Sequence, residues 1–273
     1  MRIGYQGEPH SYSHGAAADL FPEGELLGQH SFVEAFQALE DGRVDRLVLP
    51  VENSTTGSVL AVLDRLPGSG DHSPIAIVAE YRVEVRHALL GVPGAELTAV
   101  KQVRSHPEAL AQAERTLLSL GIEPVPWSDT AGAVREVAAL GDPAVAALAP
   151  PGAGAAHGLA VLREGVMDRE HNTTRFVVLR PGRPEIDPDD DKTTIVFTTA
   201  HTPGALALAL TELGLRGANL TRIESRPSDE AWSYRFFVDL EHTPGPDGLA
   251  RVLDPPPATL DRLQVLGSYR SIP

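Results

Sequence analysis

Apolar and polar positions change their rhythm about two thirds of the way along the chain. In the first part, short apolar runs such as "RIGY", "VDRLVLPVEN" and "VAALA" alternate with stretches of helical spacing such as "SFVEAFQALEDG", "SVLAVLDRL" and "TAGAVREVAALG". Strands separated by helices predict βαβ units and mostly parallel sheets. "PIAIVAEYRVEVRHALLGV" is β-branched and alternates in places, which suits extended strands. "AVKQV" and "EPVPW" read as further strands, and "HPEALAQAERTLLSLG" between them as one helix. "RFVVL" closes the series as a buried strand, with a polar mouth, "NTT", in front of it.

"RPGRPEIDPDDDK", residues 180–192, holds prolines, a glycine and four aspartates with little to bury, and reads as a linker. Beyond it the order becomes strand ("TTIVFTT"), helix ("GALALALTELGLRG"), two strands ("NLTRIESR", "SYRFFVDLE"), helix and a last strand ("LQVLGSY"). That is βαββαβ, the ferredoxin-like α+β sandwich. Pro255, Pro256 and Pro257 stand where its second helix would run on, so a broken or shortened helix is expected.

Polar clusters fall where α/β proteins bind ligands, at strand ends and helix starts. In "GEPHSYSHGAA", Ser11 or Ser13 can cap a helix whose free amides attract an anion. "PVENSTTGS", residues 50–58, carries more polar residues than a turn requires, with Glu52 and Asn53 at the strand end. In "VRSHPEALAQ", Ser105 and Glu108 have capping-box spacing, which leaves Gln112 unexplained. "SDTAGA" starts another helix at Asp129 and Thr130.

Composition narrows the chemistry. A formal charge of −14 argues against nucleic acid or an anionic membrane as partner. The absence of cysteine removes disulfides, thiolate zinc sites and a cysteine nucleophile together. His10 and His14 have an i, i+4 spacing with no third ligand at a recognisable interval, so no metal is expected. There is no Gly-x-Ser-x-Gly elbow, and "PPGAGAAHG" lacks the Lys-Ser/Thr of a phosphate loop and reads as a turn before a helix. No run has signal-peptide or membrane-span character, so a cytoplasmic protein is expected.

Taken in order, "PVENSTTGS", "SHPEALAQ", "NTTRF", "GALALAL" and "IESRP" resemble prephenate dehydratase with a C-terminal ACT regulatory domain, over nearly the whole chain. The resemblance implies a catalytic domain over 1–182 of the periplasmic-binding-protein type, with two α/β lobes around a cleft. One lobe is expected at about 1–76 plus 160–182 and the other at about 77–159, then a linker at 183–192 and an ACT domain at 193–273. It matches Thr174, Glu52, Asn53, Gln112 and Ser105 to catalytic positions, and Arg175, Phe176, Ser11, Ser13, Thr130 and His87 to the substrate site. In the ACT domain it implies phenylalanine contacts at Gly204, Ala205, Leu206, Asn219, Glu224, Ser225, Arg226 and Pro227. One departure is His10, standing where the family's opening loop usually has its second glycine, with an ordinary L-residue conformation expected.

What the resemblance implies chemically is loss of carbon dioxide and hydroxide from prephenate, a dianion, in L-phenylalanine biosynthesis. Aromatisation drives the step, so no cofactor is implied. The leaving hydroxide needs a donor: Thr174 as a hydrogen-bond donor, or Glu52 if its pKa is raised. Helix starts at Ser11, Ser105 and Thr130 would hold the carboxylates. Strand alternation puts Thr174 and Phe176 on one face and Arg175 on the other, so Arg175 reaches substrate only if the strand is irregular, and is otherwise a clamp behind it. Phenylalanine at the ACT domain implies feedback inhibition and a homodimer or homotetramer. Arogenate as substrate, or a non-catalytic small-molecule-binding protein, are the alternatives.

Overall fold

The computed structural model describes residues 1–67, 74–169, 171–228 and 232–272. The first lobe begins with β1 (Arg2–Gln6), α1 (Tyr12–Leu20), β2 (Glu25–Gln29), α2 (Phe32–Glu40), β3 (Arg46–Asn53), β4 (Gly57–Ser58), α3 (Leu60–Leu63) and β5 (Ile75–Glu84). The second lobe follows with β6 (Ala88–Gly91), β7 (Gln102–Ser105), α4 (Pro107–Ala111), α5 (Glu114–Ser119), β8 (Glu123–Pro126), α6 (Thr130–Leu140), β9 (Val145–Ala149), α7 (Pro151–Ala156) and β10 (Ala160–Arg163). β11 (Thr173–Pro181) returns to the first sheet. The C-terminal unit is β12 (Lys192–Thr199), α8 (Ala205–Leu215), β13 (Asn219–Pro227), β14 (Tyr234–Glu241), α9 (Pro246–Leu253) and β15 (Leu260–Tyr269).

Two sheets organise these elements. The second lobe has the order β10-β6-β9-β7-β8, with core on both faces: Val103, Leu110 and Leu117 on one side, Val134, Val137 and Leu90 on the other. The first lobe and the C-terminal unit share a ten-stranded sheet, β13-β14-β12-β15-β5-β11-β3-β1-β2, with β4 hung on β3. Its C-terminal third has the strand order of the split βαβ sandwich, with α8 and α9 covering Ile195, Phe197, Val238 and Leu240. The join is narrow: Gly267 of β15 lies opposite Ile77 of β5, and a Cβ at 267 would stand 2.0 Å from the Ile77 carbonyl oxygen. Only glycine allows that approach. Beside the join, Val196, Phe237, Leu266 and Tyr269 pack into the same core as Leu39, Leu47, Leu63 and Ile77.

Several expectations change. The lobe boundaries move, because β5 stays in the first sheet as the neighbour of β11, while β10 pairs antiparallel with β6 in the second. Among the described residues, the crossings therefore lie near 85–87 and within 164–169 and 171–172, not at 77 and 160. The expected ranges also take in 68–73, 170, 229–231 and 273, which lie outside the described residues. β2 and β10 have no counterpart in the elements expected. The single helix over 106–121 is two, broken at Gln112 and Ala113, and α5 starts where Asp168 accepts hydrogen bonds from the Arg115 and Thr116 amides. α3 is one turn of the longer helix expected at "SVLAVLDRL", and "PPGAGAAHG" itself forms α7 with Pro151 in its first turn. The linker is anchored: Asp190 is buried, Ile186 packs on the C-terminal core, and Asp191 accepts from Ser271. α9 stops at Leu253 before the three prolines, as the missing amides require, and β15 starts at Leu260, earlier than expected.

Candidate active site

The cleft between the lobes is a cavity of about 800 Å3. The first lobe lines it from the β1–α1 loop, the end of β3 and the start of β11, and the second from the starts of α4 and α6. Asn53, Gln112, Thr174, Phe176, Ser11, Ser13, Thr130 and His87 all line it, so eight of the residues singled out in the sequence meet in one place.

Thr174 is opposite Asn53 in the antiparallel pairing of β11 with β3. Asn53 Nδ2 donates to Thr174 Oγ1 at 3.0 Å and to Asn172 Oδ1 at 2.6 Å, and Asn172 Nδ2 donates to Gln112 Oε1 at 2.8 Å. This chain of amides ties β3, β11 and α4 together across the lobes. Asn172 is only 2% exposed.

Two helices point their free amides into the cavity from opposite walls. α1 is capped by Ser11, which accepts from the His14 amide at 3.2 Å, and α6 by Asp129, which accepts from the Gly132 amide at 2.6 Å. Such termini favour anions. No Lys or Arg lines the cavity among the described residues, so backbone amides and neutral side chains are its donors, and Glu8, Glu108 and Asp129 bring negative charge. Arg135 of α6 reaches Glu8 at 3.4 Å, an exposed ion pair spanning the lobes. His87 is buried against Tyr12, and burial pushes its pKa down to about 4, so it is neutral here. Tyr12, whose hydroxyl donates to the Arg86 carbonyl at 2.6 Å, is a wall residue missed in the sequence reading.

Three expected site residues lie elsewhere. Ser105 is fully buried at the end of β7 and donates to the Leu148 carbonyl at 2.6 Å, while His106 caps α4. The spacing to Glu108 fits a capping box, but the helix starts one residue too late for Ser105 to be the cap. Glu52 and Arg175 are opposite each other in the β3–β11 pairing and face away from the cleft. There Arg175 donates to Glu52 at 3.2 Å, to Glu80 at 3.1 Å and to Asp239 of the C-terminal unit. Lys192 completes the cluster on Glu80 at 2.9 Å. Burial works against the charge of Arg175, but Asp239 and its neighbours outweigh it and the guanidinium pKa is raised. β11 is regular here against β5, so alternation sets Thr174 and Phe176 on the cleft side and Arg175 on the other; the register shift against β3 is taken up by Val51 on that strand. His10 does not take an ordinary L conformation: its φ of 66° is left-handed, in the glycine-like geometry the loop demands, with its ring against His14.

The residues expected to hold phenylalanine are divided by the pleat of β13. Pairing with β14 places Ser225 opposite Phe236 and Ile223 opposite Val238, on the face covered by α8 and α9. Gly204, at φ 83°, precedes α8, and Ala205 and Leu206 form its first turn. Glu224 and Arg226 are on the other face: Glu224 accepts from Ser58 at 2.7 Å, and Arg226 donates twice to Asp64 at 2.7 Å. Asn219 donates to Glu241.

Two α/β lobes enclose a cleft with a threonine hydroxyl held at its base by an amide and two helix starts facing inward, the architecture of a two-lobed ligand-binding cleft. Residues 3–183 match the family model described as prephenate dehydratase. The chain is 39% identical to arogenate dehydratase/prephenate dehydratase 1 of Arabidopsis thaliana over 88% of its own length, and spans 64% of that protein. It is 35% identical to a bifunctional N-acyl-homoserine lactone acylase/prephenate dehydratase of Komagataeibacter europaeus, covering 99% of this chain and 96% of that one. The prephenate dehydratase of Arthrobacter aurescens solved with L-Phe superposes with a TM-score of 0.82 at 29% identity, covering 99% of this chain and 90% of that one. The chain belongs to the prephenate dehydratase family, whose members are lyases.

Proposed function

We propose that the chain converts prephenate to phenylpyruvate, carbon dioxide and water, and that L-phenylalanine bound at its C-terminal unit, read as an ACT domain over 193–273, inhibits the reaction. The hydroxyl of Thr174, held by Asn53 in a cleft between two helix starts, carries this reading. The ring carboxylate leaves as carbon dioxide and its bonding electrons enter the ring. The C4–oxygen bond breaks as the ring becomes aromatic, and the departing hydroxide becomes water with a solvent proton. Thr174 donates a hydrogen bond to that oxygen as charge builds on it, a role that suits so weak an acid. The α1 and α6 amides hold the carboxylates, which lets an acidic protein bind a dianion. Incubating the protein with prephenate and following phenylpyruvate tests this directly; a folded protein without turnover would refute it.

Arogenate is the second reading. Its side chain carries an ammonium group where prephenate has a ketone, and Glu8 and Glu108 among the cavity walls could accept from it. Competing the two substrates in one assay decides between them.

Phenylalanine control is supported by the L-Phe complex of the Arthrobacter relative and by an α8 start free of any side-chain cap. An assembly of at least two copies fits the outer strand β13, where Ile223 is 45% exposed, and Leu208 of α8 at 60%.

A further inference from the structure

Resting on the dehydratase reading and deepening it, we infer that Thr55 and Asn172 are positioning residues that fix the direction in which Thr174 and Gln112 offer their protons. The polarity of the hydrogen-bond chain is set at one end by backbone. The amides of Thr55 and Thr56, which can only donate, both lie on Asn53 Oδ1, at 2.9 and 3.1 Å. That atom is therefore the oxygen, and Asn53 Nδ2 must donate to Asn172 and Thr174. Asn172 uses its oxygen as the acceptor, which leaves its nitrogen to donate to Gln112 Oε1.

Two consequences follow for the reacting groups. Thr174 receives the Asn53 bond on a lone pair, so its own proton is left for a ligand. Gln112 spends its oxygen on Asn172, so its Nε2 is left as a donor to the cavity it lines. Thr55 Oγ1 lies 2.6 Å from Asn53 Oδ1 and 3.0 Å from Asn172 Oδ1, so its single proton separates two oxygens that would otherwise repel. With Asn172 buried, bulk water is poorly placed to replace a missing partner. Were either amide turned over, Thr174 would have to donate inward and Gln112 would present a carbonyl to an anionic substrate.

The test compares prephenate turnover by Thr55→Val, which keeps the shape and removes the proton, with Thr55→Ser, which restores it. We expect kcat to fall about tenfold in the first with KM changed by less than about twofold, and to return to within about twofold of wild type in the second. Asn172→Asp adds a signature that a merely structural role would not produce. As a carboxylate it accepts from Asn53 and Thr55 but cannot donate to Gln112; protonated, it can do both. The ratio of its kcat to that of the wild type should therefore rise as pH is lowered. A folded Thr55→Val with wild-type kcat, or a ratio flat with pH, overturns the inference. If Asn172→Asp does not fold, the Thr55 pair decides alone. If the wild type turns over neither prephenate nor arogenate, the dehydratase reading fails, and the relay is then judged by NMR. Its Asn53 side-chain amide protons should exchange slowly in the wild type and at least about tenfold faster in Thr55→Val. Exchange at free-amide rates in the wild type sinks it.

Discussion

Thr174 and Arg175 are consecutive in β11, yet one hydroxyl lines the cleft while the neighbouring guanidinium meets Glu80 and Asp239 on the opposite face of the sheet. The strand thus carries two unrelated chemistries one residue apart, and they should separate under mutation.

Thr174→Ala removes the donor and little else. We expect kcat to fall at least about a hundredfold, as for loss of a donor to a developing oxyanion, with the thermal midpoint within about 2 °C of wild type. Steady-state kinetics and a melt on the same preparation check this; a variant as active as wild type would remove Thr174 from the chemistry.

Arg175→Met leaves Glu80 and Asp239 buried without their shared cation. A loss of about 3 kcal/mol in urea unfolding is expected, because Glu80 then keeps only Lys192 as its cation and Asp239 only Thr194 and the more distant Arg222. Glu52, more exposed, contributes little to it. A variant of unchanged stability but weakened KM would instead place Arg175 on the substrate.

The neutral His87 predicts a pH window. Its folded pKa, about 4, lies below the ordinary value near 6.5, so the unfolded chain takes up the proton first. Stability from this group is complete above about pH 6.5 and is lost as pH falls towards 4, on the order of 3 kcal/mol in all. His87→Gln should flatten that part of the stability curve, measured by denaturation at several pH values; an unchanged slope would show that other groups set it.

Phenylalanine control should be separable from turnover. Ser225→Ala and Gly204→Ala are expected to raise the inhibitor concentration for half inhibition at least about fivefold while leaving uninhibited kcat within about twofold, Gly204→Ala also because a side chain is strained at φ 83°. Inhibition curves at fixed prephenate measure both, and equal losses in the two quantities would contradict separate sites.

Much of this was legible in the sequence because it is local. The order of most strands and helices and the stop before Pro255 follow from short motifs, while the gathering of Asn53, Gln112 and Thr174, far apart in the chain, was implied only by the family resemblance. The alternation rule also gave the two sides of Thr174 and Arg175, though not the partners waiting for Arg175, since Asp239 is 64 residues away. The same rule, applied to β3, would have removed Glu52 from the cleft beside Asn53. Ser105 was lost for a different reason: its spacing to Glu108 satisfies a cap, but the last strand residue is needed to satisfy the Leu148 carbonyl. Which sheet β5 and β10 join is a matter of pairing partners, and nothing within either strand encodes them.

Gly267 has a mechanical consequence. β15 is seated against β5 and the cores beside it are shared, so parting the C-terminal unit from the first lobe would expose apolar surface on both. Among the described residues, the chain passes to and from the second lobe near 85–87 and 164–169. Were phenylalanine to bind at α8, its effect on the cleft would have to pass through that shared core to β5 and its neighbour β11, the strand that carries Thr174.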